Sequence, residues 1–297
     1  MSTAAAPGSP EWTRLMTASK VAAVLGVSPW QSPFSLWQEM KGNVQRPAKP
    51  NEVQARGHYL EPAILAWWRD QHPTWFITEL QPAYTLGDWA AATPDAVARN
   101  FVDGKPTDQA LVEAKSAAKD DEWGDPGTDA IPSYYLTQAY WQMHVSGVHR
   151  CYVPAITSRL RFVEYVVDYD PAVGADLERR CREFFDSLAA DTPPPLDNTV
   201  ATFESMRRLH PEIDAKTTVE LDPAVAAELV ESIAATGEAE ARERLARSTV
   251  LEAMGRANWA DCNGVRIARR QPNKTGVSFV PVAKNTNFLT TETEQVA

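Results

Sequence analysis

The spacing of apolar and polar positions divides the chain into helical and strand-like stretches with clear stops. Thr17 stands as an N-cap before a short helix predicted over Ala18 to Leu25, closed by Gly26. Ser32-Pro33 opens a second helix, with proline at the first helical position and Gly42 past its end. Residues 43 to 51 read as a polar, proline-containing connector. Asn51 caps a longer helix to about Gln71, with Gly57, Leu60, Ile64, Trp67 and Trp68 along its apolar face. Strand-like runs follow at Trp75 to Leu80, Ala83 to Leu86, Trp89 to Ala98 and Ala110 to Lys115. Asp103-Gly104-Lys105-Pro106 marks the turn between the last two.

A loop from Ser116 to Pro132 leads into a helix over Ser133 to Val145, stopped by Gly147. Strands at Cys151 to Ile156 and Arg161 to Asp168 and a helix from Pro171 to Ala190 complete this part. Thr192-Pro193-Pro194-Pro195 cannot continue a helix and marks a boundary. Beyond it, Asp222 caps a long helix to about Gly255, with Glu and Arg on one side and Val225, Leu229 and Ile233 on another. Such a helix is built to dock on something, either the preceding domain, another subunit or a partner. Gly264 to Arg269 and Val277 to Val282 predict a hairpin across Pro272 to Gly276. The expected organisation is an α/β domain over 11–190, a proline-rich linker over 191–200, a helical and hairpin region over 201–284, and a flexible tail over 285–297.

Composition narrows the class. With 297 residues, 44% hydrophobic and 23% charged, the chain can bury one substantial core plus an appended region. No apolar run approaches the roughly 20 residues of a membrane helix. Met1 to Pro10 lacks the basic-then-apolar order of a signal peptide, so a cytoplasmic protein is expected. Cys151, Cys181 and Cys262 are far apart and form no CxxC pair, which argues against zinc, iron–sulfur and disulfide frameworks. The net charge of −10 by itself opposes binding of a polyanion. A site that holds metal must nevertheless concentrate carboxylates. Basic residues also cluster locally at Arg266-Ile267-Ala268-Arg269-Arg270, which could touch a DNA backbone or form a solvated strand face.

Candidate chemistry centres on Thr93-Pro94-Asp95 and Glu113-Ala114-Lys115. Glu113 and Lys115 are two apart on a strand and project from one face, with Val112 and Ala114 on the other. If the preceding strand pairs with this one, Asp95 reaches the same face. Two carboxylates about 4 Å apart repel by roughly 1–4 kcal/mol for effective dielectrics of 80 to 20, and a divalent cation removes that conflict. Hard oxygen donors suit Mg2+, with Mn2+ as a substitute, and a lysine adds a point positive charge near a phosphate. The alternative is an ordinary surface ion pair on a hairpin. Glu61, on the face with Gly57, Ile64 and Trp68, is costly to bury unless it is metal-bound or paired to Arg56 or another arginine. Gln138 and Gln142 sit one helical turn apart beside Tyr134, Tyr135 and Trp141, as amides that could hold a water or a phosphate oxygen, or as a half-exposed amphipathic face.

The order Thr17-Ala18-Ser19, Gly57…Glu61-Pro62, Thr93-Pro94-Asp95, Glu113-Ala114-Lys115 and Gln138 resembles the YqaJ family of viral recombinases over roughly residues 11 to 190. That family is related to the lambda phage exonuclease within the PD-(D/E)xK nuclease superfamily. The resemblance implies a restriction-endonuclease-like α/β core, a mixed central sheet flanked by helices. It implies Asp95, Glu113 and the Ala114 carbonyl as metal ligands, Lys115 as the catalytic lysine, Glu61 as an acid near the metal and Gln138 as a supporting amide. Arg14, Ser19 and Thr93 match residues that hold a DNA 5′-phosphate. Arg14 lies two residues closer to Ser19 than in the lambda-type pattern, and Thr93 replaces a serine. The implied activity is 5′→3′ digestion of double-stranded DNA ends, leaving 3′ single strands for a partner annealing protein, by a trimeric ring. A repair-type or endonucleolytic nuclease of the same superfamily and a catalytically idle DNA-end-binding protein are the other readings these residues allow.

Overall fold

The computed structural model describes residues 9–45, 52–79, 83–274 and 276–282. The chain divides into two compact units, Met1–Ile213 and Asp214–Ala297. The first unit begins with α1 (Pro10–Arg14), β1 (Met16–Thr17), α2 (Ala18–Val24), α3 (Pro33–Lys41) and α4 (Glu52–Gln71). Ser32 caps α3 through a reciprocal box with Ser35, and Gly42 ends it at φ 81°, a left-handed conformation that suits glycine. Thr17 precedes α2 as expected, but its hydroxyl makes no cap and lies 3.3 Å from the Ser19 hydroxyl. Asn51 and Leu80 lie outside the described residues.

The strands that follow are β2 (Trp75–Thr78), β3 (Tyr84–Leu86), β4 (Ala90–Ala92), β5 (Ala96–Val102), β6 (Lys105–Val112) and β7 (Lys115–Ser116). After α5 (Ser133–Ser146) come β8 (Arg150–Ile156), β9 (Phe162–Asp168), α6 (Pro171–Ala189) and α7 (Val200–Leu209). The main sheet runs β2-β5-β6-β8, with β7 continuing along β8 beyond β6 and β9 on the far side of β8. Pairings of β8 with β6 and β7 are parallel and the others antiparallel, so the sheet is mixed. A small sheet, β1-β4-β3, aligns Met16 with Ala90 and Thr17 with Ala91.

The stretch from Trp89 to Ala98 is not one strand. Pro94 has no amide to donate, and the chain changes sheets there, so β4 and β5 separate around Thr93-Pro94-Asp95. The β5–β6 hairpin turns at Asp103 and Gly104, both at positive φ, and extends β6 back to Lys105.

Helices cover both faces of the main sheet. Val97, Leu111, Cys151 and Val153 point to one face, where Ala139 and Met143 of α5 pack. Ala96, Ala98, Ala110, Val112 and Tyr152 point to the other, against Leu65 and Trp68 of α4. A third cluster joins α2, α3, β4, α5 and α6 around Trp37, Trp89 and Trp141. Each such fully buried large side chain stabilises the fold by about 1.5–3 kcal/mol.

The boundary falls later than the triple proline. Helix α7, in a stretch for which the sequence announced no helix, lies in the first unit and packs on α3, where the Ser32 and Thr202 hydroxyls are 2.6 Å apart in the interior. In the second unit Asp222 caps α8 (Pro223–Met254), on which Val225, Leu229 and Ile233 are exposed. The expected hairpin is present as β11 (Val265–Asn273) and β12 (Gly276–Pro281), joined by β10 (Trp259–Cys262) into a three-stranded antiparallel sheet. The short run Trp259–Cys262 carries too little alternation to announce a strand. Arg266 and Arg269 lie 4.1 and 5.5 Å over the Trp259 ring, so part of the basic cluster is engaged within its own unit.

All three cysteines are free, with Cys151 and Cys181 buried and Cys262 partly accessible. Burial, then the nearby Glu113 charge, pushes the Cys151 thiol well up, and burial pushes Cys181 up to about 12. An aromatic disulfide reagent at pH 8 should therefore titrate one thiol in the native protein, Cys262, and three after denaturation. Rapid labelling of a second native thiol would contradict this packing.

Candidate active site

The candidate site lies where β6 ends. The pairing of β6 with β5 stops at Val112 and Ala96, and the chain leaves regular strand geometry at Glu113 and Ala114 before β7 resumes at Lys115. The register along β8 is the same on both sides of this break, with Val112 opposite Tyr152 and Lys115 opposite Ala155. Glu113 keeps the ladder through its amide, which donates to the Tyr152 carbonyl at 2.9 Å. Pro94, opposite the break, offers no amide. The Ala114 N–H instead donates to Asp95 Oδ2 at 2.8 Å, which fixes that carboxylate across the two strand ends. The uninterrupted strand expected through Glu113 and Lys115 is therefore broken, yet the two side chains still meet.

Glu113 is 3% exposed and its carboxylate is fully engaged. Oε1 accepts from Lys115 Nζ and from Gln138 Nε2, both at 2.5 Å. Oε2 accepts from Gln142 Nε2 at 2.8 Å. Lys115 Nζ also donates to Gln138 Oε1 at 3.2 Å and lies 4.9 Å over the Tyr135 ring. Charge-assisted bonds of this kind are about twice as strong as neutral ones, and they replace the water that Glu113 loses on burial. Gln138 and Gln142 face the strand end because they are one turn apart on α5. Gln142, read from the sequence with Gln138 as an amide for a water or a phosphate oxygen, is fully buried and serves Glu113 instead, and its Oε1 has no partner. Its place is thus set by the bond to Glu113.

Electrostatics single out the same residues. Burial, and next the Glu113 charge, hold the Asp95 carboxyl well above its usual range despite the Ala114 hydrogen bond. Burial alone would lower the Lys115 ammonium, but Glu113 and Asp95 overcome it and leave Lys115 raised. Glu61, partly buried on α4, is raised by burial and then by Glu113, with His58 and Lys115 opposing. No ion pair joins Glu61 to Arg56 among the described contacts. Three carboxylates, Glu113 buried and Asp95 and Glu61 partly buried, thus act on one ammonium around this strand end.

Among the described residues no three His, Cys, Asp or Glu side chains converge closely enough to hold a metal alone. The donors still fit a hard divalent ion. Mg2+ is commonly held by one or two carboxylates, with waters and substrate phosphates completing its shell. The excess of carboxylate over ammonium around this strand end is the charge that such an ion would offset.

The remaining sequence candidates lie in the segments that flank the strands of the small sheet. Arg14 ends α1 and is exposed, Ser19 is exposed in α2, and Thr93 is partly buried after β4. The β1–β4 pairing brings the segment entering α2 alongside the segment entering Thr93. Lys20, 4% exposed, donates to the carbonyls of Thr13 at 2.5 Å and Leu15 at 2.6 Å, which fixes the backbone on either side of Arg14. A cleft of about 800 Å³ lined by residues including Arg99, Gln109, His149 and Arg150 lies at the opposite ends of β6 and β8, away from this chemistry.

Residues 12–149 match the family described as the YqaJ-like viral recombinase domain. No curated protein matches the chain significantly. Solved structures with similarity include an alkaline exonuclease from Laribacter hongkongensis, at 21% identity and TM-score 0.44, covering 60% of this chain and 90% of that one. A phage-related exonuclease from Haemophilus somnus 129PT is 11% identical with TM-score 0.44, covering 60% and 96%.

Ionised Asp95 opposes folding, because it is partly buried near Glu113 without a counter-ion of its own. Asp95→Asn keeps an acceptor for the Ala114 amide and removes the charge. Free of metal, the Asp95→Asn variant should melt higher than wild type at neutral pH, by about 2–4 °C for each kcal/mol recovered, with about 1 kcal/mol expected. Differential scanning calorimetry in EDTA checks this, and an unchanged or lower melting temperature would remove Asp95 from the strained cluster.

Proposed function

We propose that this chain, whose residues 12–149 carry the match to the YqaJ-like viral recombinase domain, is a metal-dependent DNA nuclease acting on double-stranded ends. The observation that carries this is the convergence of Asp95, Glu113, Lys115 and Gln138 at the broken strand end, with Glu61 beside them. Asp95, Glu113 and the Ala114 carbonyl are the groups that would hold Mg2+ or Mn2+, with Glu61 nearby. When bound, such an ion lowers the pKa of a coordinated water and offsets phosphate charge.

The chain's own residues supply orientation and charge. The Ala114 amide sets Asp95, and Gln138 and Gln142 set Glu113 from α5. Lys115 is held positive by the carboxylates around it, so at neutral pH it serves as a charge for the phosphate and not as a proton acceptor. The proposed polarity is 5′→3′, with 3′ single strands left for an annealing partner in recombination.

With Mg2+, end-labelled linear duplex should be degraded from its 5′ ends while closed circular duplex survives, and EDTA should stop the reaction. Lys115→Ala should retain the fold and lose about 10²-fold or more in rate, by analogy with removal of one charge-stabilising donor. A wild-type rate for Lys115→Ala, or equal attack on circles, would reject the exonuclease assignment.

A 5′-phosphate preference rests on Arg14, Ser19 and Thr93. A terminal phosphate carries about one more charge than an internal one, and an exposed arginine acting together with two hydroxyls would suit it. Initial rates on 5′-phosphorylated ends should exceed those on 5′-hydroxyl ends, and Arg14→Ala and Ser19→Ala should shrink the ratio. Equal wild-type rates on both ends would rule out the pocket.

A further inference from the structure

Beside Lys115 stands an aromatic group that the hydrolytic chemistry does not use. Trp30, in the loop between α2 and α3, is 66% exposed, which is unusual for the largest apolar side chain. Its ring meets Tyr134 edge-on at 4.9 Å and Tyr135 at 6.4 Å. Tyr135 is the ring beneath Lys115 Nζ. Trp30 is therefore one ring away from the ring that carries the site's ammonium.

The loop presenting Trp30 is fixed before any ligand arrives. The Ser28 hydroxyl accepts from the amides of Trp30 and Gln31, both at 3.2 Å. Gln31 Nε2 donates to Glu39 Oε2 at 3.0 Å, and the Val27 and Ser28 amides donate to the Ala22 carbonyl. The supporting ring is fixed as well, because the Tyr134 hydroxyl donates to Glu122 Oε2 at 2.9 Å. An exposed indole on a rigid loop binds a flat partner at little ordering cost.

Given the nuclease reading, we infer that Trp30 is a stacking platform for a nucleobase of the strand being cut, within the first three nucleotides of the bond at Lys115. Every base has a π face, so such a platform is tolerant of sequence. It also suits this chain in particular. With net charge −10 and a carboxylate cluster at the site, broad electrostatic attraction is weak, and stacking grips a strand without relying on it.

The test is a cycle between the indole and the base. Short 5′-phosphorylated duplexes carry one abasic residue at position 1, 2 or 3 of the 5′ strand. Their binding to wild type, Trp30→Ala and Trp30→Phe is followed by fluorescence anisotropy in EDTA, and kcat/KM is followed with Mg2+. Melting curves establish that each variant is folded. Trp30→Ala should weaken binding of intact duplex about tenfold, within the range of about 5–150-fold that one base stack is worth. An abasic residue at one position should weaken wild type by a similar factor and cost Trp30→Ala little more, and Trp30→Phe should keep most of the affinity. Losses that multiply at all three positions, or no loss at all, would overturn the proposal. So would a loss that follows only a changed oligomeric state in sedimentation, which would assign Trp30 to an interface between copies. Wild type that binds DNA with the expected coupling but cleaves none would reject the nuclease reading and leave the platform standing.

Discussion

The constraint on which the rest of the structure depends is a carboxylate, Glu113, held nearly dry at the end of an internal strand. A carboxylate removed from water must recover its hydrogen bonds from the protein or become neutral. Glu113 recovers them from an ammonium and two side-chain amides, and none of these donors is placed by chance. Lys115 is delivered by the same strand after its break. Gln138 and Gln142 come from one face of α5, so the helix must run close to the strand end and in one rotational setting. Asp95 adds a second charge to this region, tied down by a single backbone amide.

Close approach of α5 demands small residues beneath it. Ala139 is fully buried against the main sheet, and β4 consists of Ala90, Ala91 and Ala92, all buried. Trp141 Nε1 donates to the Ala91 carbonyl at 3.3 Å, which pins the helix to that strand. On the opposite sheet face Ala96, Ala98 and Ala110 leave room for Trp68. Small strand residues paired with large helical ones keep the interior dense while bringing backbone close to backbone. Packing and site are thus one problem, since an added methylene under α5 would displace the amides that hold Glu113.

The helices were legible because their ends carry local chemistry. Ser32-Pro33, Gly42, Gly147 and Asp222 act through caps and φ preferences that need no distant partner. The candidate site residues Asp95, Glu113, Lys115 and Gln138 were named from their motifs and from the resemblance to the YqaJ family, and the fold brings their side chains together although the strand expected through Glu113 and Lys115 is broken. What escaped was non-local. The break at Pro94 follows from a change of sheets, and the tie from Ala114 N–H to Asp95 follows from that break. The place of α7 in the first unit depends on Thr202 meeting Ser32 across 170 residues of sequence. Trp30 reads as loop in any window, and only the fold sets it beside Tyr134.

An acidic protein for which a DNA substrate is proposed raises the question of where its grip would lie. Long-range attraction follows net charge, and here it opposes a polyanion. Interaction at the site must then come from groups that act at contact distance. Lys115 is one, because its neighbours keep it charged and Tyr135 covers one side of it. A cation held between carboxylates would be another, turning local acidity from an obstacle into the means of binding phosphate. Flat aromatic surface is a third and does not depend on ionic strength in the way that phosphate contacts do. On the proposed reading, such groups would act on a strand end that enters the site more than on duplex that stays outside it.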